Sequence, residues 1–320
     1  MSALEHSLRK IGYILAWRPD ICYVQHVAEK FEASRQELVI LPHKGGRPGR
    51  KLSCLGIHTQ AGTWPARGVP VVSFWAERSR DVLSAPELEA LVGAHQILHR
   101  EGHGDGILGH VSLRNPEQAG FWIKRADIGL DEVVGAHSFM LLDLDGVRLY
   151  GDGPCHSEWP IHAETMRAHR HINSVVHTHA PSSALLASTN QPLVGFTSEG
   201  AYFGSTPVPL FDGGKAHIDE ASRARRMAAA LNGGLALLIR NHGLLTCGLT
   251  VAQATVVAFY LERAASIQIR ALSLGVNCCP ADPDYVSGRA AMLHDPSFVE
   301  RTFAYLARAA SRDFGGADKK

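Results

Sequence analysis

From Ser84 onward the order of hydrophobic and polar positions resolves into elements. Leu88, Leu91, Val92, His95 and Leu98 recur at helical spacing after Ser84-Ala85-Pro86-Glu87, a capping box with proline in the first turn. This helix is predicted to end at Gly102. Apolar runs at 108–113, 121–123 and 138–143 read as strands, and Asp145-Gly146 is a hairpin signal into 147–150. Ser157 caps a helix expected over 158–171, a strand at 173–179 follows, and Pro181 opens a short helix. Further on, the pattern predicts a strand at 208–211, a helix at 219–231 and a strand at 235–239. Residues 244–247 continue as a strand beyond Asn241-His242-Gly243, Thr250 opens a long amphipathic helix to about 273, and a last helix spans 297–308. Strands and helices mix without regular βαβ alternation, which predicts α/β or α+β layers around a mixed or largely antiparallel sheet.

Residues 1–80 carry no comparable pattern and are set apart as an extension of unknown role. A mixed segment at 11–41 leads to a basic loop punctuated by glycine and proline at 43–51, and a short strand is predicted at 71–75. The basic loop lacks aromatic interleaving and reads as solvated. Residues 84–275 form the domain that carries the readable pattern, and 276–320 a helical tail that frays from 315. Composition narrows the classes further. The 320 residues carry a formal net charge of +1 with 45% hydrophobic and 20% charged positions, so nothing favours nucleic acid or an anionic membrane as partner. No apolar run is long enough to span a bilayer, and residues 1–18 lack a secretory pattern. Cysteines 22, 54, 155, 247, 278 and 279 show no CxxC spacing, so a reduced, cytoplasmic setting is expected. The unusual figure is 18 histidines.

Those histidines carry the candidate chemistry. In Val175-Val176-His177-Thr178-His179-Ala180-Pro181, residues two apart in a strand point the same way, so His177 and His179 present two imidazoles side by side. Two polar residues at a strand end are the plainer alternative for an isolated His-x-His. His242, in a tight turn between two strands, is the best third ligand. Three neutral imidazoles leave coordination positions open, as a catalytic site requires. Glu158, in the first turn of the helix that leads to the His-x-His strand, is the candidate acid/base, with His162 one turn on. Gly104-Asp105-Gly106-Ile107-Leu108-Gly109 matches the dinucleotide fingerprint in form, but a helix precedes it and a strand follows, the reverse of what that site needs.

Gly109-His110-Val111-Ser112-Leu113-Arg114, Ser157-Glu158-Trp159-Pro160-Ile161-His162, His177-Thr178-His179-Ala180-Pro181 and Asn241-His242-Gly243-Leu244-Leu245-Thr246-Cys247-Gly248 together resemble the class II aldolase/adducin family in order and spacing. The resemblance implies a three-layer α/β/α sandwich around a mainly antiparallel central sheet, and a homo-oligomer, commonly a tetramer with sites at subunit interfaces. It implies one divalent metal ion (Zn, Mn, Fe or Co) on His177, His179 and His242, with Glu158 as acid/base and a small-molecule substrate. Sugar-phosphate aldolases of this family typically have an asparagine where this chain has His110, and paired serines where it has His156-Ser157. Imidazoles there reshape a phosphate cradle into one suited to a carboxylate. Residues expected at the substrate are therefore His110, Ser112, His156, Ser157 and His162.

The expected function is a metal-dependent carbon–carbon lyase. Foremost is a decarboxylase of a non-phosphorylated hydroxy- or oxo-carboxylate, aromatic acids included, working through a metal-stabilised enolate. Retro-aldol cleavage uses the same logic and is the alternative. An iron oxygenase on the same scaffold is a further one, separated by oxygen consumption. A non-catalytic adducin-like scaffold is the last, and retention of the metal histidines argues against it.

Overall fold

In the computed structural model the described residues are 13–18, 21–26, 83–115, 120–214, 217–275 and 277–314. The basic loop at 43–51, the predicted strand at 71–75 and the tail from 315 lie outside them. The chain divides into two units, Met1–Arg67 and Gly68–Lys320. In the first, β1 (Tyr13–Arg18) pairs antiparallel with β2 (Ile21–His26). The 11–41 pattern had not resolved this ladder.

The second unit is built on an eight-stranded sheet. Its strands are β3 (His110–Asn115), β4 (Gly120–Lys124), β5 (Phe139–Asp143), β6 (Arg148–Tyr150), β7 (Ser174–Thr178), β8 (Leu210–Phe211), β9 (Ala236–Ile239) and β10 (Gly243–Gly248). The spatial order is β6-β5-β4-β3-β7-β10-β9-β8, and every pair is antiparallel except β8 with β9. The helices are α1 (Ala85–Leu98), α2 (Trp159–Ala168), α3 (Pro181–Ala187), α4 (Ala221–Ala230), α5 (Val251–Ser273), α6 (Pro283–Leu293) and α7 (Pro296–Phe314). Past α1 a wide turn runs through His99–His103, and Gly102 breaks the helical path where the pattern predicted its end.

Strand alternation divides the core in two. Val111, Trp122, Val176 and Leu244 face one way and pack with α1, α3 and α5. Phe121, Ile123, Val175 and Leu245 face the other way and pack with α2 and α4. The result is the predicted three-layer α/β/α sandwich, with a largely antiparallel sheet at its centre. Burying each such Val, Leu, Ile or Phe contributes about 1.5–3 kcal/mol, so the alternation itself fixes the register. On the α2 side the alternation places polar residues in the sheet: His110 and Ser112 on β3, and His177 on β7.

Several boundaries differ from expectation. The helix predicted over 158–171 spans Trp159–Ala168, which leaves Glu158 at its N-cap rather than in its first turn. The final helix reaches Phe314, and α6 was not predicted although Asp282 caps it and proline fills its first position. Thr250 caps α5 as expected, its Oγ1 accepting the Gln253 N–H at 3.0 Å. No helix among the described residues is long and apolar enough to cross a membrane.

Candidate metal centre

β7 runs between β3 and β10, so His177 sits at the middle of the sheet opposite His110 on one side and Leu245 on the other. β-Branched Val175 and Val176 suit a strand buried on both faces. The strand stops at Thr178, and Pro181 starts α3 two residues after His179. α3 is pinned there by Glu262 of α5, whose carboxylate accepts the Ser182 and Ser183 N–H groups at 2.8 Å each. His242 arrives from the β9–β10 turn, closed by its own N–H donating to Ile239 O at 3.2 Å, with Asn241 at φ 55°. Gly243 lets this turn approach β7: a Cβ there would stand 2.3 Å from Thr178 O.

The three rings converge. Their centroids are 5.2 Å apart for His177 and His179, 4.8 Å for His177 and His242, and 4.7 Å for His179 and His242. One ligand atom from each, with one from Glu158, all lie within 4.8 Å of one another.

Hydrogen-bond accounting shows what the cluster can hold. His177 Nδ1 donates to Leu244 O and His179 Nδ1 donates to Asp105 Oδ2, both at 2.9 Å. Each bond fixes the tautomer and leaves Nε2 with its lone pair. Both Nε2 atoms, and His242 Nδ1, are buried without a hydrogen-bond partner among the described residues. Burial lowers the pKa of His179, aided by His177 and opposed by the hydrogen bond to Asp105. Burial likewise lowers that of His242 against the opposing bond to Glu158. Buried imidazole nitrogens left without partners at such a cluster fit a divalent cation, because metal binding uses the deprotonated ring nitrogen and satisfies the orphaned atoms.

Glu158 lies beneath them with its side chain 7% exposed. Its Oε1 accepts the Ile218 N–H at 2.8 Å, and its Oε2 stands 3.5 Å from His177 Nε2. His242 Nε2 is 3.6 Å from Oε1. Burial by itself would raise this carboxyl, but the adjacent His177 and His242 rings outweigh it and hold the group well below the usual carboxylate range.

The residues expected at the substrate divide into two kinds. His162 has both nitrogens engaged, with Ser112 Oγ and with His110 Nδ1, each at 2.6 Å. His110 in turn packs against His156 and His177, with centroids 4.3 and 5.3 Å away. His156 Nε2 is buried without a partner among the described residues, like the Nε2 atoms of His177 and His179. Ser157 is exposed, and its Oγ is 2.9 Å from His217 Nε2.

Two neighbours escaped the sequence reading. His217 places Nδ1 3.6 Å from Glu158 Oε1, and Asp105 orients His179. Nothing in their local sequence marks them. The only available signal was general: a ligating histidine needs an acceptor for its second nitrogen.

Residues 89–269 match the family described as Class II Aldolase and Adducin N-terminal domain. A 3,4-dihydroxyphthalate decarboxylase from Arthrobacter keyseri is 32% identical over 198 residues, covering 58% of this chain and 79% of that protein. A 5-methylthioribulose-1-phosphate/5-deoxyribulose-1-phosphate aldolase from Rhodospirillum rubrum is 28% identical over 194 residues, 60% of this chain and 85% of that one. Among solved structures, an aldolase II superfamily protein from Pseudomonas syringae superposes with a TM-score of 0.65 at 25% identity, covering 74% of this chain and 97% of that chain.

Proposed function

The chain belongs to the class II aldolase and adducin family, and from that premise we propose that it is a metal-dependent decarboxylase of a non-phosphorylated hydroxy- or oxo-carboxylate, hydroxylated aromatic acids foremost. The observation that carries the reading is that one ligand atom each from His177, His179, His242 and Glu158 lie within 4.8 Å of one another, the Nε2 atoms of His177 and His179 being buried without a partner among the described residues. A divalent ion on these nitrogens would supply positive charge where negative charge builds on a substrate oxygen as the carbon–carbon bond breaks.

The remaining work falls to side chains of this chain. Glu158 Oε1 is tied to the Ile218 N–H, so Oε2 is the oxygen free to carry a proton. Because the carboxyl is ionised before substrate arrives, the proton it delivers comes from the substrate, from a hydroxyl that ionises on binding. The carboxylate then leaves as carbon dioxide, its bonding pair stays on the substrate carbon, and Oε2 returns the proton to that carbon. His156, whose Nε2 is buried without a partner among the described residues, lines the place of the departing carboxylate, and His110 lies beside it. His162 and Ser112 stand behind and fix the His110 ring. Imidazoles in this subsite and the decarboxylase relative both favour the reading.

Retro-aldol cleavage is supported by the aldolase relative and would use the same metal and carboxylate. Metal-loaded protein is expected to release carbon dioxide from some member of a panel of hydroxyaromatic and keto acids, under anaerobic conditions as well as in air. Aldehyde formation without carbon dioxide would establish the aldolase instead, and turnover that requires oxygen would overturn both.

A further inference from the structure

Lys124, the last residue of β4, is fully buried, yet its charge lies outside the catalytic group. Its three N–H donors meet three main-chain carbonyls: Ile107 O at 3.0 Å, Arg125 O at 3.0 Å and Ile128 O. Burial pushes the ammonium down to about 8, with Asp127 and Glu132 opposing from a distance. An apolar residue could fill a strand end without that desolvation cost, so the charge calls for an explanation.

The explanation lies in which segments it joins. Ile107 belongs to a tight turn closed by the Leu108 N–H donating to Asp105 O at 3.0 Å. Apolar burial does little to hold this turn: the Asp105 side chain is 53% exposed, Ile107 51% and Leu108 43%. The same turn carries the carboxylate that accepts the His179 Nδ1 proton. We propose that Lys124 is a positioning residue for the metal centre, its ammonium clamping the Asp105–Leu108 turn so that Asp105 is aimed at His179. Its effect passes through the turn and Asp105 to the tautomer of one ligand. The inference rests on the three-histidine reading of the site, since that reading makes His179 Nε2 the atom whose lone pair matters.

The test is a double-mutant cycle in Zn2+ affinity, measured by competition with a chelator on the full chain. D105N is expected to weaken binding by about 10–100-fold, the usual effect of losing the outer partner of a ligating histidine. K124M should lose a large part of the same factor, and on the D105N background it should cost less than about twofold, because the path it acts through is already cut. Equal losses on both backgrounds would make Lys124 a general support of the fold and overturn the inference. If K124M does not fold, K124R takes its place in the cycle: it keeps the charge but offers a planar fork where three diverging donors are needed. Wild-type protein that binds no Zn2+ would sink the three-histidine reading on its own. The inference is then decided on metal-free protein from the 15N-histidine spectrum, where K124M must shift His179 Nδ1 in the direction D105N does; an unchanged signal overturns it.

Discussion

Two groups of buried histidines in this protein use their nitrogens in opposite ways. In His162 and His95 both nitrogens are consumed by the fold. His162 bridges His110 and Ser112, and His95 joins Leu91 O of α1 at 2.7 Å to the Val111 N–H of β3 at 3.3 Å. In His177 and His179 one nitrogen is anchored and the other is buried without a partner among the described residues. Burial does not distinguish the groups, since His95, His162 and His177 are all fully enclosed. Partner accounting does. A buried nitrogen left without a partner is costly, so where several converge the fold is holding a place for something that will pair with them.

The contrast is most directly broken at His179. His179→Ala should abolish stoichiometric metal and all measurable turnover, as read by elemental analysis and carbon dioxide release. A variant with full metal would remove this ring from the ligand set. Next in size is Glu158→Gln, expected to keep its metal but lose about 10²–10⁴-fold in turnover, the usual worth of a general acid/base. Full activity would show that the proton travels by another route. A member of the satisfied group should behave in the opposite sense. His162→Leu is expected to leave metal stoichiometry unchanged while costing about 2–3 kcal/mol in urea unfolding, because Ser112 Oγ and His110 Nδ1 lose their partner in the interior. Loss of metal in that variant would join the two groups into one.

The smallest effect near neutrality is a pH dependence. Burial lowers His95 and His103 to about 3, far below the ordinary 6.5. Well above pH 6.5 neither group binds a proton in either state, and their contribution to stability is level. As pH falls from 6.5 towards 3, only the unfolded chain takes up protons, so stability is progressively lost. Metal-free protein should lose about 1 kcal/mol from this pair between pH 7 and pH 6, measured by denaturant midpoint. A flat profile would mean that these rings are protonated in the fold.

Much of the site was legible in the chain because it depends on short-range geometry. The period of two, carried one residue past the end of β7 at Thr178, puts His177 and His179 together, and a three-residue turn between strands projects His242. The capping position of Glu158 was legible to within one residue, with the helix beginning just after it. Helix α6 had an Asp-Pro start signal that the hydrophobic pattern around it did not reinforce. The partners were a different matter. Asp105 lies in a stretch whose glycines suggested a nucleotide motif and were set aside on element order, and nothing in the pattern around 121–123 singles out Lys124. His162 and Ser112 were expected to touch substrate, and the structure shows each engaged by the other's hydrogen bond.

By itself, then, the order of residues pointed to most of the elements, the strand that carries the paired imidazoles, the third ring and the carboxylate, because helix and strand periods act over a few residues. Only the tertiary structure decided which nitrogens are spent and which are left over. That depends on acceptors far away in the chain, Leu244 O for His177 and Asp105 for His179, and no local pattern encodes a hydrogen bond between residues that the fold alone brings together.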